Sequence, residues 1–401
     1  MNRRSLRWAV PGAVAAAVVA AIAIPSLATA DQTPDLDALD PQELLIALAE
    51  AEPAPLSGTA VYTARLGLPE LTGELTQGAD PMNLLDGSST IRVWTDGESR
   101  SRIALLGATS EYSVVTDGEQ AWSYASETNE VRHITLDAAS QQQLAQAQQD
   151  RDAAAAAGDI PTPQAMAEQV LEDAEQYADV TMADPIMVAS RAAYQMVIDP
   201  NTADTLVEQI IVAIDGETFA PLSVQVWSTE DAVAPAIELA FTDISYEMPS
   251  DAALAFSTPS GATVTESEID LSEYAGTTQQ DHTEGETPEG VTVTGSGFAT
   301  VVEKAEVDIA GLLSGDPSAM ADAAAEAAEA AGTDGPSQDM MDEFGGPDGI
   351  DTQALYDELT TPVDGGRLLT TTLVSILFTD DGRVLAGAVP PEVLLSTAGL
   401  A

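Results

Sequence analysis

Cysteine is absent from this 401-residue chain. That excludes a disulfide framework, a thiolate metal site, a lipid-modified cysteine and nucleophilic thiol chemistry. Histidine is nearly absent too: His133 and His282 are the two in the chain, which leaves a Ser-His-Asp arrangement little to work with. There is no H-E-x-x-H and no phosphate loop, and Gly295-Ser296-Gly297 is not a nucleophile elbow. Carboxylates are so numerous that finding two together signals no glycoside chemistry. Asp339, Asp342, Asp348 and Asp351 miss the spacing of a calcium loop. Nothing therefore marks an enzyme, and no metal or cofactor is expected. Lysine is reduced to Lys304, and Lys+Arg 13 against Asp+Glu 66 gives a net charge of −53. Such a surface repels nucleic acid and anionic lipid head groups, so both are poor partners. It fits a saline habitat, where a Debye length of ~3 Å near molar salt silences self-repulsion. An acidic composition without salt adaptation accounts for it equally well.

What is present begins with an export signal. Arg3, Arg4 and Arg7 form a basic start, an apolar run extends from Trp8 to Ala23, and Ala28-Thr29-Ala30 is a small-x-small cleavage site before Asp31. Cleavage after residue 30 takes three arginines and no acid, so the net charge moves from −53 to −56. The alternative is an uncleaved anchor, since the apolar run approaches the ~17 residues that barely span a bilayer. Either way the chain works outside the cytoplasm. With 45% hydrophobic residues, most of it should fold.

Asp40-Pro41-Gln42-Glu43 predicts a helix start, with Leu44, Leu45 and Leu48 on one apolar face. Strands are expected from Thr59 to Leu66, at Ile91–Trp94, Arg102–Leu105, Glu111–Val115, Ala121–Tyr124 and Val131–Leu136. Thr95-Asp96-Gly97 and Thr116-Asp117-Gly118 supply turns. A Gln/Ala-rich segment from Ser140 to Gly158 reads as a polar helix, and Thr162-Pro163 starts another carrying Met166, Val170 and Leu171. Strands resume at Met187-Val188, Ala193–Ile198, Val207–Ile214, Leu222–Trp227 and Ile237–Tyr246. The expected fold class is α+β: an unclosed antiparallel β half-barrel with a helical lid, plus a small C-terminal β-rich domain. Its divisions are residues 1–30 as signal peptide, 31–264 as the half-barrel, 265–290 as an acidic linker, and 291–401 as the C-terminal domain. That last domain contains a partly disordered acidic insertion over 314–366, with a helix over Asp322–Ala330 and disorder over Gly332–Gly349.

The stretch from Ser113 to Val131, with Thr116-Asp117-Gly118-Glu119-Gln120-Ala121-Trp122-Ser123-Tyr124 at its centre, resembles a hairpin of the LolA/LolB lipoprotein-carrier superfamily. Phe256-Ser257-Thr258-Pro259-Ser260-Gly261-Ala262-Thr263-Val264 resembles that family's closing segment, and the resemblance covers roughly 35–266. It implies an apolar cavity for acyl chains, with lipid or an acylated protein as partner. An RseB-like sensor that binds a membrane-anchored anti-sigma factor is the other role it implies. One departure stands out: the arginine that family carriers hold near the turn here reading Thr95-Asp96-Gly97 is missing, and Arg100 and Arg102 do not align cleanly with it. The expected inward apolar set is Ile91, Val93, Ile103, Leu105, Val114, Trp122, Tyr124, Val224, Val226, Leu239 and Phe241. For any one of these an ordinary packed core is the competing reading.

Overall fold

The computed structural model describes residues 34–68, 78–79, 81–118, 120–143, 146, 163–269, 290–314 and 352–400. The expected signal peptide, most of the linker, Asp322–Ala330, Gly332–Gly349 and the four aspartates Asp339 to Asp351 lie outside them. Helix α1 (Pro41–Glu50) begins with the capping box its sequence predicts. Asp40 Oδ1 accepts from the Glu43 backbone N–H at 2.8 Å, and Glu43 Oε2 accepts from that of Asp40 at 3.0 Å. Its Leu44 is fully buried against Tyr194, Met196 and Ile214.

Twelve strands follow in one sheet. The first run is β1 (Leu56–Ala64), β2 (Gly87–Thr95), β3 (Ser101–Leu106), β4 (Glu111–Thr116), β5 (Gln120–Ala125) and β6 (Glu130–Leu136). A helical segment at 138–143 and helix α2 (Pro163–Glu175) interrupt it. The second run is β7 (Ala178–Val188), β8 (Arg191–Pro200), β9 (Val207–Asp215), β10 (Pro221–Ser228) and β11 (Ile237–Ser245). A short helix α3 (Asp251–Leu254) leads to β12 (Thr263–Ile269). The strand order is β12-β6-β5-β4-β3-β2-β1-β11-β10-β9-β8-β7, so each run is a meander, and β1 joins them by pairing with β2 on one side and β11 on the other. The sheet is open, with β12 and β7 at its edges. Every pairing is antiparallel except β12 with β6, which is parallel. That strand also carries the folded chain to Ile269, five residues into the stretch read as linker.

A second, six-stranded antiparallel sheet has the order β13-β14-β18-β17-β16-β15. It comprises β13 (Val291–Thr294), β14 (Val301–Lys304), β15 (Thr361–Val363), β16 (Gly366–Thr370), β17 (Ser375–Thr379) and β18 (Val384–Gly387). Helices α4 (Ile309–Ser314), α5 (Thr352–Leu359) and α6 (Pro391–Ala398) accompany it. Val291–Glu303 and Arg367–Val389, whose sequences read as strand-like on either side of the acidic insertion, thus meet in one sheet, through β14 against β18. The end of that expected insertion is itself folded, as α5 and β15. Val301, Leu368, Leu377, Leu385, Val389 and Leu394 form the core, with α6 covering that face. The sheets are stitched together by backbone and hydroxyl groups. Leu206 N–H and Thr205 Oγ1 donate to Ala388 O at 2.8 and 2.9 Å, Thr372 N–H donates to Leu66 O at 2.9 Å, and Ser228 Oγ donates to Thr372 O at 2.5 Å. Val207, Ala236 and Leu373 are buried at the same joint. Among the described residues, no helix is long and apolar enough to cross a membrane.

Candidate functional site: an apolar face of the large sheet

Directly opposed residues in neighbouring strands share a face, so the register sorts the expected inward set. Val93 pairs with Ile103 and Ile103 with Val114, making one row across β2, β3 and β4. Ile91 pairs with Leu105 beside it, and through Ala60 with Phe241. Tyr62 pairs with Leu239, and Leu239 with Val224. Val226 pairs with Ile237 on the same face. Nine of the eleven residues therefore lie on one face. Trp122 and Tyr124 do not: they pair with Val115 and Ser113, whose side chains lie on the other face from Val114. A strand alternates its side chains, and Trp122 falls one step out of phase with the rest.

Burial divides the nine further. Leu105 is buried, while Ile103, Val114 and Leu239 remain 49%, 36% and 37% exposed. Ile103 and Val114 stand on adjoining strands and Leu239 three strands away from Ile103, and branched aliphatic groups left open in this way are wetted poorly by water. Val226 is taken into the joint with the small sheet, packed with Ile210 and Ile237 against Leu373 and its neighbours. Phe241 lies over Gly58, where a Cβ atom would come within 2.8 Å of the ring, so glycine there makes room for the aromatic side chain. The same face continues beneath α1, where Val212 pairs with Val224 and Met196 with Val212. Leu44 covers that end, and α1 packs beside α2. The face is covered by helix over β8 and β9, while on β3 and β4 Ile103 and Val114 stand exposed and Leu105 is buried.

Trp122 has a different environment. Its ring stacks on His133 at 5.1 Å and on Phe256 at 5.7 Å, joining β5, β6 and the segment after α3. Both nitrogens of His133 are engaged, Nδ1 with Glu266 at 3.0 Å and Nε2 with Gln120 at 2.7 Å, so the ring serves as a structural link. Tyr124 Oη donates to Asn129 Oδ1 at 3.4 Å. On this side Arg100 ties the β2–β3 turn to α3, pairing with Asp96 at 2.8 Å and Asp251 at 3.0 Å. Hydrogen bonds from the Arg100 side chain, then from the backbone N–H groups of Glu98 and Arg100, hold the Asp96 carboxyl far below the usual carboxylate range. The arginine missing from the turn thus has a near neighbour that forms an ion pair, though with α3 and not with α1 or α2.

A second charged cluster escaped sequence reading. Asp215, completely buried, faces the Arg191 guanidinium and accepts from the backbone N–H groups of Glu217 and Thr218 at 2.9 and 2.8 Å. Burial pushes its carboxyl up, and the Arg191 and backbone hydrogen bonds overcome that and hold it below the ordinary value. Arg191 also bonds Glu217 at 2.7 Å and lies over the Tyr246 ring at 4.8 Å. Asp215-Gly216 spells a turn, but nothing in that spelling announces a buried charge. A cleft of about 400 Å³ opens at the joint between the sheets, lined by Leu66, Leu206, Glu230, Thr371, Pro390 and Glu392 among others. None of the eleven residues lines it. Among the described residues, no cluster of metal-ligating side chains occurs.

No protein-family model matches the sequence and no curated protein matches it. In structure the chain is similar to MucB and to LolA-superfamily proteins. MucB solved in complex with MucA from Pseudomonas aeruginosa shares 14% identity at a TM-score of 0.39, covering 89% of this chain and 96% of that one. A LolA-superfamily protein from Nitrosomonas europaea shares 10% at a TM-score of 0.20, covering 55% and 99%. A lipoprotein-sorting protein domain from Vibrio parahaemolyticus shares 8% at a TM-score of 0.19, covering 51% and 91%.

Proposed function

We propose that this chain is an exported carrier that holds an acyl chain, of lipid or of an acylated protein, against the apolar face of its large sheet. The observation that carries this reading is the open stretch of that face, with Ile103, Val114 and Leu239 exposed on the same side as the half-buried Ile91, Val93 and Val224. Each methylene taken from water there contributes about 0.8 kcal/mol, so about ten give roughly 8 kcal/mol before association costs several. The resulting grip is reversible, as a carrier requires. Helices α1 and α2 act in this reading as a lid over the β8–β9 end. The division into a half-barrel over 31–264, a linker over 265–290 and a C-terminal domain over 291–401 belongs to the same proposal. Mass spectrometry of an organic extract of the purified protein tests it: a stoichiometric acyl-chain compound is expected, and an extract without one counts against it.

A second reading is favoured by the small sheet. Val293 and Val302 pair across β13 and β14 and are 48% and 40% exposed, on the face opposite the core under α6. That surface fits an envelope sensor that binds a membrane-anchored anti-sigma factor. Capture of such a protein by this chain, lost on Val302→Asp, would support the sensor role.

A further inference from the structure

One stretch of the acyl face is not apolar. Tyr62 on β1 is opposed by Ser89 on β2 and by Leu239 on β11. It lies two residues from Ala60, which opposes Ile91, so both hydroxyl groups stand on the face that carries Ile91, Ile103 and Val114. Ser89 is 8% exposed and Tyr62 is half-buried. Among the described residues neither hydroxyl has a hydrogen-bond partner. Burial raises the Tyr62 phenol above its ordinary value, with no hydrogen bond to offset it. A polar group set into an apolar face without a partner costs stability, and alanine and phenylalanine would fill the same places without that cost. The two hydroxyls suit a ligand that supplies the missing partner.

Resting on the carrier reading, we propose that Tyr62 and Ser89 hold the head of the ligand, the ester carbonyl of an uncharged lipid. The residues around them fix that chemistry. Next on the same face come Ala60, Ile91 and Phe241 toward one end of the strands and Ala64, Gly87 and Ile237 toward the other, none of them charged. Arg65, just past Ala64, falls on the opposite side of the strand and donates to Pro235 O at 2.9 Å. Asp86, just before β2, is exposed. An anionic head would meet no described cation here, and the field of 66 acidic against 13 basic residues opposes it. A neutral carbonyl oxygen accepts from both hydroxyls without that penalty. The chain then runs across the sheet toward Val114. From Tyr62 to Ile103 the face extends two strand spacings of ~4.8 Å across and four residues of ~3.3 Å along, about 16 Å on the diagonal. An extended chain advances roughly 1.2 Å per bond, so about thirteen bonds reach Ile103. Leu239, opposite Tyr62, borders the head.

Displacement of a fluorescent fatty acid from the full chain tests the assignment with methyl tetradecanoate, ionised tetradecanoate and tetradecyl chloride, which share a chain and differ in the head. Methyl tetradecanoate should displace best, with the chloride, a poor acceptor, and the ionised acid each about tenfold weaker. Tyr62→Phe and Ser89→Ala should each weaken the ester about fivefold and leave the chloride unchanged. Neither should lower the melting temperature, because each removes a group without a partner in the fold. An ester no tighter than the chloride, an ester affinity that both substitutions leave as it is, or a lower melting temperature in both variants would overturn the role of the hydroxyls. An ionised acid that binds as tightly as the ester would overturn the uncharged head while leaving the acyl face standing. Failure of the probe and all three compounds to bind would overturn the carrier reading itself.

Discussion

Replacing Arg191 with methionine leaves the Asp215 carboxylate buried without the guanidinium it faces. The side chain of Asp215 is 0% exposed, and Arg191 reaches it through both Nε and Nη2. The hydrogen bonds from Glu217, Thr218 and the Thr218 hydroxyl remain, at 2.8 to 3.1 Å. Breaking a buried pair by removing one partner costs about 3–5 kcal/mol; the surviving donors place the loss here near the lower end, about 3 kcal/mol. Urea denaturation followed by circular dichroism reads it directly, as a lower midpoint at unchanged slope. The pH dependence separates this cause from a simple loss of packing. In the native protein Asp215 is held below its ordinary value, so it contributes stability that is full above the unfolded carboxylate range and is lost as pH falls through the lower folded value. Without Arg191, burial dominates and the folded value rises above the unfolded one, so the deficit of the variant should shrink as pH falls from 8 toward about 5. Adding Asp215→Asn should restore part of the loss. A deficit below about 1 kcal/mol, or one independent of pH, would refute the reasoning.

Two further outcomes follow from the same structure. With a net charge of −53, screening should relieve self-repulsion, so the melting temperature rises between low salt and molar NaCl; a flat or falling curve removes the saline reading. Trp122→Ala should lower stability by about 3 kcal/mol through loss of the His133 and Phe256 stacks, and leave acyl binding intact because it lies on the other face. Loss of binding in a variant that stays folded would put Trp122 back into the site.

Local chemistry made much of this legible. Asp40-Pro41-Gln42-Glu43 spells its capping box, and Thr95-Asp96-Gly97 and Thr116-Asp117-Gly118 mark turns that the fold uses, with Gly97 and Gly118 at φ 80° and 91°. Alternation found most strands of both meanders. It could not find β7 whole: Asp179, Asp184 and Pro185 break the pattern, and a register shift sits between Ala183 and Ile186. Nor could it find β12, which carries Thr265, Glu266 and Glu268 and is held by backbone pairing to β6. Alternation within a strand also cannot fix which face a neighbour shows, because one residue of slip exchanges the two. Val114 and Trp122 look equivalent as apolar strand residues, yet pairing places them on opposite sides. Arg191 and Asp215 are 24 residues apart, and only the folded sheet brings them together.

Under the proposed function, the open apolar face binds an acyl chain. Ile103 and Leu239 are exposed enough that aspartate at either position should leave the fold intact while putting a charge into the site. Titration of a fluorescent fatty acid into wild type, Ile103→Asp and Leu239→Asp, each with its melting temperature, is the most direct measurement. Saturable binding by wild type is expected, with its loss in both variants at near-native melting temperature. Saturable binding of equal strength in Ile103→Asp, or none in wild type, would contradict it.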